Sequence, residues 1–142
     1  MTTQNYYTIG VDFGARSAQA ILVDVTTGNL ISSVDYQYPY GLITENLPGS
    51  DIQLDPGWSL HHPKDYLNAL KRAIPKLIRE GDVLADQVIA LGIDFKGSTL
   101  IPTKSDGTPL ALIEDYKDEP HAWPKTWKHT AAREKASKLT QL

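Results

Sequence analysis

A helical repeat that opens at Pro63 constrains this chain most, because of what stands on either side of it. Tyr66, Leu67, Leu70, Ile74, Leu77 and Ile78 recur at the spacing of one helix face, while Lys64, Asp65, Lys71, Arg72 and Arg79 fall on the other. Pro63 suits the first turn, where a missing N–H costs nothing, and Gly81 is a natural stop. Pro75 lies inside the pattern and predicts a kink, since it removes one backbone bond to Lys71 and crowds that carbonyl. After the helix runs "VIALGIDF"; before it come strand-like segments at 6–11, 18–25 and 30–38. A helix between two apolar strands is the crossover that lays them parallel, and a run such as "VIALGIDF" predicts a strand buried on both faces.

Shorter signals complete the outline. Asp12-Phe13-Gly14-Ala15-Arg16-Ser17 and Thr26-Thr27-Gly28-Asn29 are brief connections, which make adjacent antiparallel pairs of the first segments. Residues 39–62 show little periodicity and carry Pro39, Gly41, Pro48, Gly49, Pro56 and Gly57; connectors of that length tend to be functional or mobile. Residues 100–103 and 109–113 flank Asp106-Gly107, a hairpin signal. From Glu119 the tail reads as helical, with Trp123, Trp127, Ala131 and Ala132 on one face. The order β-β-β-α-β, then a hairpin, then α, describes an α/β chain with a mixed sheet under helix cover. No internal repeat or domain boundary is evident.

Composition narrows the function. The 142 residues carry a formal charge of −3 with no basic stripe, which argues against nucleic acid as a partner. With no cysteine, a disulfide framework and thiolate metal sites are excluded. No apolar run approaches the roughly 18–20 residues of a membrane span, and Met1-Thr2-Thr3-Gln4-Asn5 does not open like a secretory signal. The expectation is a soluble, cytoplasmic protein with no membrane partner.

Two strand exits carry the candidate chemistry. In "VDFG" the glycine lets the backbone approach a phosphate, and Asp12 at the strand end can hold Mg²⁺ through water, an ion that keeps several waters and uses few carboxylates. The competing reading is an ordinary hairpin turn. In "LGIDFKGST", Asp94 ends the strand after the crossover, where ligands bind in open α/β sheets; Gly97 leaves room, and Ser98 and Thr99 offer hydroxyls. Here the competing reading is a polar exit whose side chain caps nearby amides. Two such exits flanking one crossover favour a shared cleft. Trp123 and Trp127 read as core, with a sugar-site wall as the alternative. His61, His62 and His121 read as turn or cap residues and His129 as a helix-surface group, none at metal-ligand spacing.

The stretches "YTIGVDFG", "LVDVTTG", "LHHPKDYL", "VIALGIDF", "DGTPL" and "PHAWPKTWKHTAA" together resemble, in order over nearly the whole chain, the N-terminal part of the L-ribulokinases within the FGGY family of sugar kinases. The resemblance implies an actin-like, ribonuclease-H-like ATPase fold. It also implies transfer of the ATP γ-phosphate, with Mg²⁺, to the terminal hydroxyl of a ketopentose or related polyol. On this reading residues 1–142 are an incomplete N-terminal kinase domain. The catalytic base and the second, nucleotide-closing domain would come from beyond it, so the isolated chain is expected to be inactive and to self-associate, as a homodimer for instance, through its bare face.

Carried over by the resemblance, Asp12, Gly14, Ala15, Arg16 and Ser17 form the phosphate and Mg²⁺ loop, with Asp12 the metal-supporting acid. Asp94, Lys96, Gly97, Ser98, Trp123 and Trp127 belong to the sugar side. Three departures stand out: Ala15 replaces the family's threonine, Gln19 replaces a basic residue, and the family's D-F-T-(S/A)-C-T has become Asp94-Phe95-Lys96-Gly97-Ser98-Thr99. Losing one charge-assisted bond to a phosphate costs roughly 1.5–3 kcal/mol, unless Arg16 and Lys96 compensate. A catalytically weakened relative that binds a sugar or nucleotide and regulates is the alternative, and a free-standing interaction module is a third.

Overall fold

A computed structural model describes residues 5–140. In chain order the strands are β1 (Tyr7–Phe13), β2 (Ser17–Asp24), β3 (Leu30–Gln37), β4 (Leu42–Ile43), β5 (Leu60–His61) and β6 (Val88–Phe95); the helices are α1 (Pro63–Glu80) and α2 (Arg133–Thr140). They form two compact units. One takes the described residues up to Pro39 with Lys64–Lys96, the other Tyr40–Pro63 with the described residues from Gly97 onward.

The first unit is built on a sheet of order β3-β2-β1-β6. β1 and β2 pair antiparallel, as do β2 and β3, while β6 returns through α1 to lie parallel to β1. Alternation decides the faces: Tyr7, Ile9, Val11 and Phe13 of β1 and Ala18, Ala20 and Leu22 of β2 are buried, and the residues between them turn to the other face. α1 covers the buried side. Ala69, Ala73 and Leu77 lie at its centre of contact, with Tyr66, Leu70, Ile74 and Ile78 packed around them. The small alanines bring the helix axis close to the sheet, whereas Leu67, an expected face residue, stays exposed.

Three details refine the sequence expectation. α1 continues on both sides of Pro75, and Pro75 and Lys71 both face solvent, so water can take the carbonyl that proline leaves without a donor. Gly81 does end the helix, but Asp82 is the residue in the left-handed region, at φ 50°. Gly81 answers a different need: a Cβ there would stand 2.7 Å from the Leu22 Cδ2 atom.

The third difference is larger. β6 is parallel, as its sequence predicts, yet it is not buried: Leu91, Ile93 and Phe95 are 45%, 49% and 61% exposed. They sit in register with Ile9, Val11 and Phe13, on the α1 face. A helix about 10 Å across covers roughly two strands spaced about 4.8 Å apart, and α1 spends that width on β1 and β2. An unbroken apolar run reports a strand's tendency to be covered and not whether cover is present.

In the second unit β4 and β5 pair antiparallel, and bridges at Asn46↔Gln53, Leu60↔Lys125, Leu100↔Lys125 and Thr103↔Pro109 tie the rest. Residues 39–62 are thus partly a paired structure, too short in each strand to show a period. Ile43, Leu47, Leu54, Leu60, Ala111, Ala122 and Trp123 make its core. The Asp106-Gly107 turn forms, with Asp106 Oδ1 accepting the Thr108 N–H at 2.9 Å, but its second arm is a 3₁₀ turn at Leu110–Leu112. The expected helix from Glu119 is absent. Pro120 and Pro124 hold that stretch to a 3₁₀ turn at Pro120–Ala122 followed by a bridge at Lys125 and turns, and helix returns only at Arg133. Trp123 and Trp127 therefore share no helix face.

Candidate functional site

The open face of the first unit's sheet carries the candidate site. Because β1 and β6 are parallel and aligned, their matching sequences come to lie side by side: Gly10 beside Gly92, Asp12 beside Asp94, Phe13 beside Phe95. Both strands read G-x-D-F, so each puts its acid on the open face near its carboxyl end and its phenylalanine toward α1. On the other flank of β1, Gln19 lies opposite Asp12 and Ile21 opposite Gly10. These residues line one hollow of about 340 Å³, with Val11 and Ile93 contributing from the strands between.

Its floor is made of missing side chains. A Cβ at Gly92 would meet nothing within 4 Å, and one at Gly10 would touch only Ile21, at 3.3 Å. The rim is polar: the row across the sheet runs Asp35, Gln19, Asp12, Asp94 in register, and Gln19 Nε2 donates to Asp35 Oδ1 at 3.3 Å. Asp94 Oδ1 accepts the Phe95 N–H at 2.9 Å. Two neighbouring carboxylates over a backbone floor, open to solvent, suit a hydrated divalent cation and an oxyanion that it bridges. Among the described residues no group of three or more acidic or histidine side chains is arranged to hold a metal, so such an ion would depend on its waters and on the oxyanion.

Beyond Asp12 the chain reverses through Gly14-Ala15-Arg16-Ser17. The Gly14 N–H donates to the Ser17 carbonyl at 2.9 Å, and a Cβ on Gly14 would stand 3.0 Å from that same oxygen. Closure of the turn thus favours this glycine and occupies its amide. Arg16 projects to solvent, and its carbonyl accepts the Tyr38 N–H at 2.9 Å. Under the turn, Tyr66 packs edge-on to Phe13 and Tyr38, at 5.7 and 5.9 Å between ring centres. Burial, with Asp65 adding to it, pushes the Tyr66 phenol up to about 12. Burial pushes Tyr38 up still more strongly, helped by Tyr66, Asp65 and Asp12, so both phenols stay neutral.

The remaining sequence candidates are placed as follows. Lys96 is exposed just past β6 in the first unit, while Gly97, Ser98, Trp123 and Trp127 belong to the second unit. Trp123 is a core residue, 2% exposed, with its indole N–H donating to the Lys117 carbonyl at 2.8 Å. It presents no free face for a sugar wall. Trp127 is 53% exposed, with Lys128 Nζ 5.3 Å from its ring centre. Thr126 anchors this turn by bonding Ser59 through its backbone and its hydroxyl.

The histidines are structural in ways the sequence did not predict. His61 and His62 are buried, and His62 stacks on Tyr40 at 3.9 Å. His129 Nδ1 accepts the Ser59 N–H at 3.2 Å, and its ring and that of His121 both contact Trp58. Gly10, Gly92 and Ile21 line the hollow without having stood out in the sequence as candidates, and Gln19, noted there as a departure, joins them. The repeated G-x-D-F spacing was the signal for the glycines, and the hairpin register was the one for Gln19.

The sequence matches the N-terminal domain of the FGGY family of carbohydrate kinases over residues 7–142. This chain belongs to that family. It is 42% identical over 142 residues to a ribulokinase of Halalkalibacterium halodurans, and 43% identical over 136 residues to one of Geobacillus thermodenitrificans. These alignments cover 100% and 96% of the chain but 25% and 24% of the two enzymes, so this FGGY chain spans about a quarter of the length of the relatives it matches. Solved structures agree on the fold. A gluconate kinase from Lactobacillus acidophilus superposes with a TM-score of 0.68 at 22% identity, over 96% of this chain and 23% of that one. A sugar kinase from Brucella ovis gives 0.66 at 17%, over 94% and 23%. The mixed sheet is that of the actin-like ATPase fold. Among the described residues no helix is long and apolar enough to cross a membrane.

Proposed function

We propose that this chain is the N-terminal part of an ATP-dependent kinase for a ketopentose or related polyol, and that the Asp12–Asp94 hollow receives the metal-bound phosphates. The observation that carries the proposal is the paired carboxylates over the Gly10 and Gly92 floor, at the shared carboxyl ends of two parallel strands. Kinship with ribulokinases supports the substrate class.

The residues fit magnesium and ATP. Asp12 would hold the ion through its waters, with Asp94, in register beside it, adding negative charge and serving the sugar side. The backbone over Gly10 and Gly92 would admit phosphate oxygens that a larger residue would keep out. When bound, magnesium ATP supplies the phosphoryl group and withdraws charge from its oxygens. Lys96, Gly97, Ser98 and Trp127 are proposed on the sugar side. A cytoplasmic location and a homodimer remain parts of this proposal.

The test is a chimera in which this chain replaces the matching N-terminal quarter of the Halalkalibacterium halodurans ribulokinase. Coupled ADP release is followed with L-ribulose, D-ribulose, D-xylulose and ribitol. Turnover of a ketopentose, cut about a hundredfold or more by Asp12→Asn, is the expected result; turnover indifferent to Asp12→Asn overturns the assignment. The chain alone is expected to give none. A second reading, binding without catalysis, draws on the Gly14 amide already engaged by Ser17 and on the missing hydroxyl at Ala15. It predicts a folded chimera that binds sugar and releases no ADP.

A further inference from the structure

We infer that Gln19, held by Asp35, makes the hollow selective for a polyphosphate that arrives with its divalent cation and unreceptive to the same polyphosphate without one. The inference rests on the reading of the hollow given above and concerns its charge. Of the side chains lining it, Asp12 and Asp94 are acidic and none is basic. Gln19 lies opposite Asp12 in the β1–β2 register, so position 19 is where a positive side chain would most directly offset them. Instead it holds a neutral amide, and that amide donates to Asp35 Oδ1 across the β2–β3 pair.

The polar row thus contains three carboxylates and one amide, all exposed on one face. An uncomplexed polyphosphate meets like charge from both carboxylates in the hollow. A divalent cation bound between the acids and the phosphate oxygens reverses the sign of that encounter, since bound cations are the largest local charges in such sites. The tether to Asp35 adds a second effect, because it draws the donor end of Gln19 toward β3 and away from an incoming anion. Gln19 is in this sense a specificity-determining residue and Asp35 a positioning one.

Calorimetric titration of the 142-residue chain tests this with three probes: tripolyphosphate with Mg²⁺, tripolyphosphate with EDTA, and Mg²⁺ alone. The wild-type chain is expected to bind the magnesium complex at least tenfold more tightly than the metal-free anion. Gln19→Arg is expected to shrink that ratio to threefold or less by raising the metal-free affinity. The double variant Gln19→Arg with Asp35→Asn, in which the guanidinium has no acid on β3 to turn to, is expected to shrink it at least as far. Circular dichroism and the amide spectrum confirm that each variant is folded. Equal wild-type affinity for the two forms of the anion overturns the inference, as does an unchanged ratio in both folded variants. No binding of either form by wild type or variants defeats the phosphate reading of the hollow itself, and this inference with it.

Discussion

Gly81→Ala offers a sharp test of how α1 meets the sheet, because two general rules predict opposite signs for it. Gly81 is not in the left-handed region, so an alanine there incurs no backbone strain. The loss of unfolded-chain freedom alone would then stabilise the protein by about 0.4–1 kcal/mol. Packing opposes this. The new Cβ would stand 2.7 Å from Leu22 Cδ2, 3.2 Å from Ser32 Oγ and 3.3 Å from Ile31 Cγ2. Leu22 is fully buried, and Ser32 Oγ donates to the Leu77 carbonyl at 2.9 Å in the last turn of α1, so neither moves freely.

Overpacking of this kind costs about 1–3 kcal/mol; a contact of 2.7 Å with a buried leucine belongs in the upper half of that range, which leaves a net loss of about 1–2 kcal/mol. For a chain of this size that is a fall of roughly 3–8 °C in Tm. Urea unfolding read by circular dichroism measures it, with Gly92→Ala, whose Cβ meets nothing within 4 Å, as the control expected to gain the unopposed entropic term of about 0.4–1 kcal/mol. In the double variant Gly81→Ala with Leu22→Ala, the emptied space should make the two losses less than additive. A Gly81→Ala chain as stable as wild type, or more so, would refute the close-approach account.

The two tryptophans should separate cleanly. Trp123→Phe strands the Lys117 carbonyl and is expected to cost about 1–2 kcal/mol, whereas Trp127→Ala should leave stability within about 0.5 kcal/mol yet weaken sugar binding in the chimeric kinase. His129 is held below its ordinary pKa by burial first, then by Lys125 and His121, and the neutral ring is what accepts the Ser59 N–H. A depressed folded pKa means that stability present above about pH 6.5 is lost as pH falls through the folded value. NMR titration should therefore find His129 below an exposed histidine, and His129→Gln should flatten the decline in stability between pH 7 and 5; an unaltered decline would remove His129 as its source.

Much of the first unit was legible in the sequence because its signals are local. Alternation marks β1 and β2, Thr26-Thr27-Gly28-Asn29 gives their turn to β3, and the repeat from Pro63 gives α1 with its start and end. The parallel placement of β6 followed from the crossover. Its exposure did not, since the width that α1 covers is a property of the assembled sheet. The tail misled for a related reason: Trp123 and Trp127 stand at helical spacing, but Pro120 opens only a 3₁₀ turn and Pro124 follows it, so no α-helix forms between the two tryptophans. At the candidate site, both acids were readable from their strand ends. Gln19 was visible as a family departure, but its place beside Asp12 required the hairpin register. Gly10 and Gly92 carried a readable clue, the G-x-D-F repeat, whose meaning appears only when parallel pairing aligns the two copies.

The most direct measurement uses Mn²⁺ in place of Mg²⁺, added with tripolyphosphate to the ¹⁵N-labelled chain. Paramagnetic broadening should concentrate on the amides of residues 10–14 and 91–95 and disappear in the Asp12→Asn variant. Broadening centred elsewhere in the chain, or unchanged in that variant, would contradict the claim that these two acid-bearing strand ends form the metal–phosphate site.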